Sequence, residues 1–269
     1  EPEGDPMDVQ DVAADLVAEQ QALDEVVAGL DAADWAAPTP SAGWAVSDQV
    51  AHLTYFDRAA ATAITEPEAF RASVEELWAA ARRNGGDDLT LGPFRALSSD
   101  DLLAAWRDGR TRLAKAAVTL TDDDRVEWYG PSMGARSFLT ARLMEAWAHG
   151  QDVVDAVGGH RPASDRLRHV AQLGVITRRW SYANRKMTVP DVEIDVALTA
   201  PSGGRWTWGP GDAPEVIRGP AEDFCLVVTQ RRHLDDTDLE VVGDAARDWL
   251  LLAQAFAGPP SDGPDSGRF

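Results

Sequence analysis

Between Asp8 and Leu30 the apolar side chains Val9, Val12, Ala13, Leu16, Leu23, Val26, Val27 and Leu30 recur at spacings dominated by three and four, the period of an amphipathic helix. The Pro/Ser/Gly segment Pro38–Gly43 interrupts that pattern. A second helix is predicted from Ser47 to about Ile64, with Ser47 or Asp48 near its N-cap. Helical stretches follow over 67–83 and 99–119, separated by the turn-rich run 84–88, and a strong helix over 135–157 stops at Gly158-Gly159. Long helices with short links predict an antiparallel helical bundle.

A further helix over about 164–183 precedes a change of period. From Asp191 to Ala200, Val192, Ile194, Val196 and Leu198 alternate with Asp191, Glu193, Asp195 and Ala197, which predicts a strand with one buried face. The turn Pro201–Gly204 and the run Arg205–Trp208 complete a predicted hairpin. A short strand near 215–218, a helix over 221–231, a strand over 238–242 and a helix from Asp244 to the stop at Gly258-Pro259-Pro260 follow. The expected fold class is therefore α+β: a helical bundle over 7–160, a connecting helix over 161–187, a small α+β domain over 188–260 and a flexible tail over 261–269. The acidic stub 1–6 is set aside from this argument.

Composition narrows the function. With 44% hydrophobic and 26% charged residues the 269-residue chain is ordinary for a globular protein of one large or two smaller domains. Its net charge, 25 minus 45 or −20, repels polyanions, so nucleic acid and anionic membranes are excluded as expected partners. The longest basic runs are the pairs Arg82-Arg83, Arg178-Arg179 and Arg231-Arg232. One cysteine, Cys225, admits no internal disulfide and no multi-cysteine zinc site, so any metal must be held by His, Asp or Glu. The chain carries no apolar run of membrane-spanning length and no signal-peptide pattern at its start, so a cytoplasmic location is expected.

Two helices carry candidate chemistry. On a wheel of 100° per residue, Asp48, Tyr55, Phe56, Ala59 and Ala63 share the face of His52, with Thr54, Asp57, Arg58 and Ala61 opposite, so His52 is expected to point into the core. A histidine so placed is most often a core residue hydrogen-bonded to a neighbour. On the helix over 135–157, Glu145, His149 and Asp152 stack on one face at spacings of four and three, flanked by Phe138, Ala141, Ala148 and Ala156. Glu and His four apart also form ordinary surface pairs, but this face is too apolar for a solvated one. Burying three titratable groups together is costly unless a cation sits among them, and a divalent metal meets that need. His52 supplies a third ligand, leaving open positions of the catalytic kind, with Asp152 expected to orient an imidazole or a metal-bound water. His160 and His169, expected on or beside exposed turns, and His233, in a charged loop, are assigned no role.

The runs Gly43-Trp-Ala-Val-Ser-Asp48, Val50-Ala-His52-Leu53 and Ala141–Asp152 resemble the mycothiol-dependent maleylpyruvate isomerase family, which belongs to the DinB-like metal-binding four-helix bundles. Trp128–Met133 and Phe256–Pro260 are similar to a largely uncharacterised actinobacterial branch. The resemblance spans nearly the whole chain and implies a DinB-like bundle followed by a sterol-carrier-like domain. It assigns His52, Glu145 and His149 to a divalent metal, zinc by default with nickel or iron as alternatives. It also implies mycothiol as thiol cosubstrate and arginines that hold a dicarboxylate, for which Arg82, Arg83, Arg231 and Arg232 are the candidates. Arg82, Arg231 and Asp152 are the expected catalytic side chains, while Tyr55 and Trp208 are the expected contacts to the thiol; Trp206 or Trp208 is expected to face the open side of the metal together with Arg231. Ten tryptophans suggest a substrate less anionic than maleylpyruvate. The expected activity is isomerisation or S-transfer by a monomer or homodimer. The alternatives are a thiol-independent metal hydrolase or lyase, and a non-catalytic module that binds a metal and an apolar ligand.

Overall fold

The computed structural model describes residues 7–84 and 87–269, with the side chains of 83, 84, 87 and 88 excepted. Four long helices, α1 (Val9–Val27), α3 (Val46–Thr65), α6 (Ser99–Ala117) and α7 (Ala135–Val157), pack in the cyclic order α1, α7, α3, α6. Their starts follow local chemistry: Asp8 caps α1 in a reciprocal box with Asp11, and Ser98 caps α6 through the Asp101 amide. At α3 the N-cap is Ala45, and Asp48, three residues in, accepts its amide at 3.1 Å. α7 ends where Gly158 takes the left-handed conformation at φ 60°.

Two helices and a hairpin of this half are not foreseen in the periodicity. The short helix α2 (Ala32–Trp35) and α5 (Asp87–Arg95) deliver Trp35, Leu91 and Phe94 to the core built by Leu23, Val50, Leu53, Leu102 and Trp106. α5 carries Gly92 and Pro93, residues that weaken a sequence-based helix assignment. α4 (Pro67–Asn84) runs as expected, and a two-residue hairpin, β1 (Arg125–Val126) with β2 (Met133–Gly134), leads into α7.

The wheel reading of α3 holds for Asp48 and Ala63, which are buried, and is otherwise corrected. Its core face is Val50, Leu53, Thr54, Asp57, Ala60 and Ala61, all buried, whereas His52, Tyr55, Phe56 and Ala59 are half-buried. Polar Thr54 and Asp57 were placed outside because the wheel cannot see their partners. Thr54 returns its hydroxyl to the Val50 carbonyl, and Asp57 meets Arg142 of α7 at 3.0 Å.

The chain divides at Arg161–Pro162, so the segment expected as a connection belongs to the second unit. That segment is two helices, α8 (Leu167–Ile176) and α9 (Arg178–Asn184), broken at Thr177, whose hydroxyl bonds back to the Leu173 carbonyl. The sheet order is β4 (Arg205–Trp208), β3 (Ile194–Thr199), β5 (Glu215–Pro220) and β6 (Glu240–Val242), with β3 and β5 parallel and the outer pairs antiparallel. Ile194, Val196 and Leu198 form the buried face of β3 as predicted, whereas Val192, expected on the same face, lies before the strand and is half-buried. α10 (Ala221–Val228) and α11 (Asp244–Leu252) complete the unit; α11 ends six residues before Gly258, and Ala253–Ala255 continue as buried extended chain that pairs Ala255 with the Val228 carbonyl. The last residues are tied down rather than free: Asp262 pairs with Arg185 at 2.7 Å, and the Gly267 amide donates to Asp236 at 2.8 Å. No helix among the described residues is long and apolar enough to cross a membrane.

α8 approaches α10 closely at Gly174, where an added Cβ would lie 2.7 Å from Val228 Cγ2 and 3.0 Å from Phe224 Cε1. Gly174→Ala is expected to destabilise this unit by about 1–3 kcal/mol through overpacking, despite the better helix propensity of alanine. Urea unfolding followed by circular dichroism measures it; unchanged or raised stability contradicts the close approach.

Candidate metal centre

α3 and α7 lie side by side, and the middle of each carries the candidate ligands. Glu145 and His149 sit one turn apart on α7, and His52 projects from α3. One carboxylate oxygen, Glu145 Oε2, lies 3.4 Å from His52 Nε2 and 3.1 Å from His149 Nε2. Three ligand atoms, one per side chain, fall within 4.8 Å of one another, the convergence a single ion requires. The side chains keep 13–23% of their surface exposed, so the cluster can be reached from outside.

The electrostatics suit ligation. Burial pushes the His52 imidazole down to about 4, helped by the neighbouring His149, so at neutral pH it presents a lone pair. Burial of Glu145 works to raise its pKa, but hydrogen bonds from His149 and His52 outweigh it and hold the carboxyl well below its usual range. A neutral imidazole and an ionised carboxylate are the forms a metal binds. The donor set therefore fits a divalent ion.

Around the ligands the packing is aromatic. The Trp44 ring stacks on His149 at 5.9 Å and tilts against His52 at 5.3 Å, and Phe56 lies 4.5 Å from His52. Beyond Phe56 come Tyr129 and Trp128, both from the loop before α7, and Tyr55, whose hydroxyl is 3.5 Å from that of Tyr129. Burial raises the Tyr129 hydroxyl above its ordinary range, so it stays protonated. Arg142 lies under Phe56 and Trp128 as a cation against their faces, about 6 Å from each ring centre.

The other expected residues fall as follows. Asp152 is buried beside His149, but its Oδ2 is 3.9 Å from Nδ1 and accepts from Ser41 Oγ at 3.2 Å. The hydrogen bond at His149 Nδ1 is made by Gln49 Oε1 at 2.5 Å. Arg82 is exposed on α4, and the side chain of Arg83 lies outside the described residues. Arg231, Arg232, Trp206 and Trp208 belong to the second unit; Arg231 Nη1 donates to the Thr229 carbonyl, and Trp208 Nε1 donates to Gln172 at 2.6 Å, anchoring β4 to α8. His160 is exposed, whereas His169, expected near a turn, is buried in α8. His233 caps a short 3-10 turn through the Asp235 amide. Cys225 is fully buried, and burial raises its thiol well above the ordinary value, so it offers no reactive thiolate.

Gln49 and Arg142 were missed from the sequence. Arg142 carried a faint signal, a cation on the apolar-flanked helix of Glu145; Gln49 carried none, since its role depends on a partner 100 residues away.

Comparison with known proteins finds relatives in sequence and in fold. The model of the mycothiol maleylpyruvate isomerase N-terminal domain matches residues 16–154, a span that includes the candidate ligands His52, Glu145 and His149. Two uncharacterized proteins of Mycobacterium tuberculosis, from strains CDC 1551 / Oshkosh and ATCC 25618 / H37Rv, are each 47% identical over 252 residues, covering 93% of this chain and 96% of theirs. The crystal structure of the mycothiol-dependent maleylpyruvate isomerase is similar at 17% identity and a TM-score of 0.58, over 95% of this chain and 97% of that one. A mutant of that enzyme matches at 16% identity and a TM-score of 0.57 over the same shares. At such identity the likeness establishes the fold.

Proposed function

Because the chain belongs to the mycothiol maleylpyruvate isomerase family, we propose that it is a metal-dependent enzyme that activates mycothiol for isomerisation of, or S-transfer to, a small electrophile. The observation that carries this reading is the meeting of His52, Glu145 and His149, whose candidate ligand atoms lie within 4.8 Å of one another. Zinc is the expected ion for two imidazoles and a carboxylate. A divalent ion in that place lowers the pKa of a bound thiol, so that it reacts as thiolate near neutral pH.

The chain's own residues supply the rest. Three protein ligands leave room for the sulfur, and the exposed edges of the ligands, 13–23% of their side-chain surface, give it a path. The sulfur forms a C–S bond to the β-carbon of an activated alkene while the π electrons move to the activating carbonyl. In an isomerase, rotation about the former double bond precedes their return and expulsion of the thiolate. In a transferase the C–S bond would stay and the enolate would take a proton from water at the α-carbon. Both reactions use the same ligands. The shell of Trp44, Phe56, Tyr55 and Tyr129 favours a substrate less anionic than a dicarboxylate, with Tyr55 placed for contact with the thiol or substrate. Arg82, exposed on α4, is the candidate anchor for a carboxylate, and Asp152 lies buried on the His149 side of the site.

Calorimetric titration of the zinc-loaded protein with mycothiol, beside an analogue lacking the sulfhydryl, tests the reading. Mycothiol is expected to bind at least about tenfold tighter than the analogue, a difference of about 1.4 kcal/mol. Equal affinity, or binding of neither, overturns thiol activation in favour of direct metal hydrolysis or lyase chemistry, or of a binding module.

A further inference from the structure

A histidine that gives one ring nitrogen to a metal needs an acceptor for the proton on the other. For His149 that acceptor is Gln49, a fully buried side chain one turn before His52 on α3, with Oε1 2.5 Å from Nδ1. The direction of the amide is fixed by what lies behind it. Gln49 Nε2 donates to Thr39 Oγ1 at 2.9 Å, and the Thr39 hydroxyl donates in turn to the Trp44 carbonyl at 2.9 Å. The Thr39 amide donates to the same carbonyl at 2.8 Å, closing the loop between them. With its nitrogen so engaged, Gln49 offers His149 an acceptor only. With an ion bound, the proton of His149 would be held on Nδ1 and the Nε2 lone pair would face the ion, in place of the hydrogen bond that Nε2 makes to Glu145 without it. The same loop brings the Trp44 ring against both histidines.

The geometry points to Gln49 as a positioning residue of the metal centre, one that sets the tautomer of His149 and, being neutral, leaves the centre with a net positive charge. A divalent ion with Glu145 as the one charged ligand carries +1 overall, which favours a thiolate as the next ligand. A carboxylate in hydrogen-bond contact with Nδ1 would make the imidazole a stronger donor and weaken that attraction. Asp152 is the carboxylate at hand, and it stands 3.9 Å from Nδ1. The proposal rests on the metal reading above, and its test separates the two.

The probes are zinc, with affinity measured by competition against a chromogenic chelator, and cobalt(II), whose visible absorption reports ligand geometry. Gln49→Met removes the acceptor and is expected to weaken zinc binding by about 10–100-fold, the range for loss of such a partner. Gln49→Glu keeps the acceptor and is expected to hold zinc within about threefold of the parent, or more tightly, with displaced cobalt bands. Thr39→Val, which frees the Gln49 amide without touching the histidine, is expected to fall between them, and it decides the matter should Gln49→Met not fold. Zinc affinity unchanged in both Gln49→Met and Thr39→Val, or lost as much in Gln49→Glu as in Gln49→Met, overturns the assignment. A parent protein that binds zinc but not mycothiol removes the thiol reading and leaves Gln49 in its role. A parent that binds no zinc removes both.

Discussion

His149→Ala is expected to leave the protein folded and almost free of metal. The parent should hold about one divalent ion per chain, bound by His52, Glu145 and His149. Structural zinc sites with four ligands are worth about 10–16 kcal/mol, so one ligand carries on the order of 3 kcal/mol, or roughly a hundredfold in affinity. From a set of three, that loss should bring the metal content after dialysis close to zero. The fold should persist because the bundle core of Leu23, Val50, Leu53, Leu102 and Trp106 does not include the ligands. Elemental analysis of the parent and variant, with melting curves of both in the presence of chelator, measures the two halves of the prediction. An equal metal content in parent and variant would remove His149 from the ligand set; a parent whose melting temperature does not rise with added zinc would remove the site. The same logic extends to His52, on the other helix, whose replacement should abolish thiol-dependent turnover.

Much of this was legible in the chain because it depends on neighbours a few residues apart. The period of three and four placed α1, α3, α4, α6 and α7, and the shift to a period of two placed β3. Glu145 and His149 stood out because an i,i+4 pair lies on one helix face regardless of what packs there. What the pattern misjudged depends on partners distant in sequence. Asp57 reads as a solvent residue until Arg142 is brought to it. Gln49 reads as nothing until the loop at Thr39 and the ring of His149 close around it. Elements such as α5, with its glycine and proline, form because Leu91 and Phe94 find a core, not because their local propensity is strong.

The largest effect on stability is expected at that same Asp57. It is fully buried and joins all four helices of the bundle: Oδ1 accepts from Arg142 Nη2 of α7 at 3.0 Å, and Oδ2 from Gln20 of α1 at 2.8 Å and Trp106 of α6 at 3.2 Å. Burial pushes the Asp57 carboxyl upward against the opposing pull of Arg142, a sign that desolvation is a large part of this balance. Removing only the carboxylate leaves a guanidinium 4% exposed with no countercharge at Asp57. Asp57→Ala should therefore cost about 3–5 kcal/mol, which for a unit of this size lowers the melting temperature by about 6–20 °C. Asp57→Asn keeps an acceptor and should cost less. Adding Arg142→Met to Asp57→Ala should recover part of the loss, since the stranded charge goes with it. It should not recover all, because Gln20 and Trp106 still lack their acceptor. A double-mutant cycle by chemical denaturation gives these terms, and an Asp57→Ala protein within about 1 kcal/mol of the parent would show that the four-helix junction contributes little.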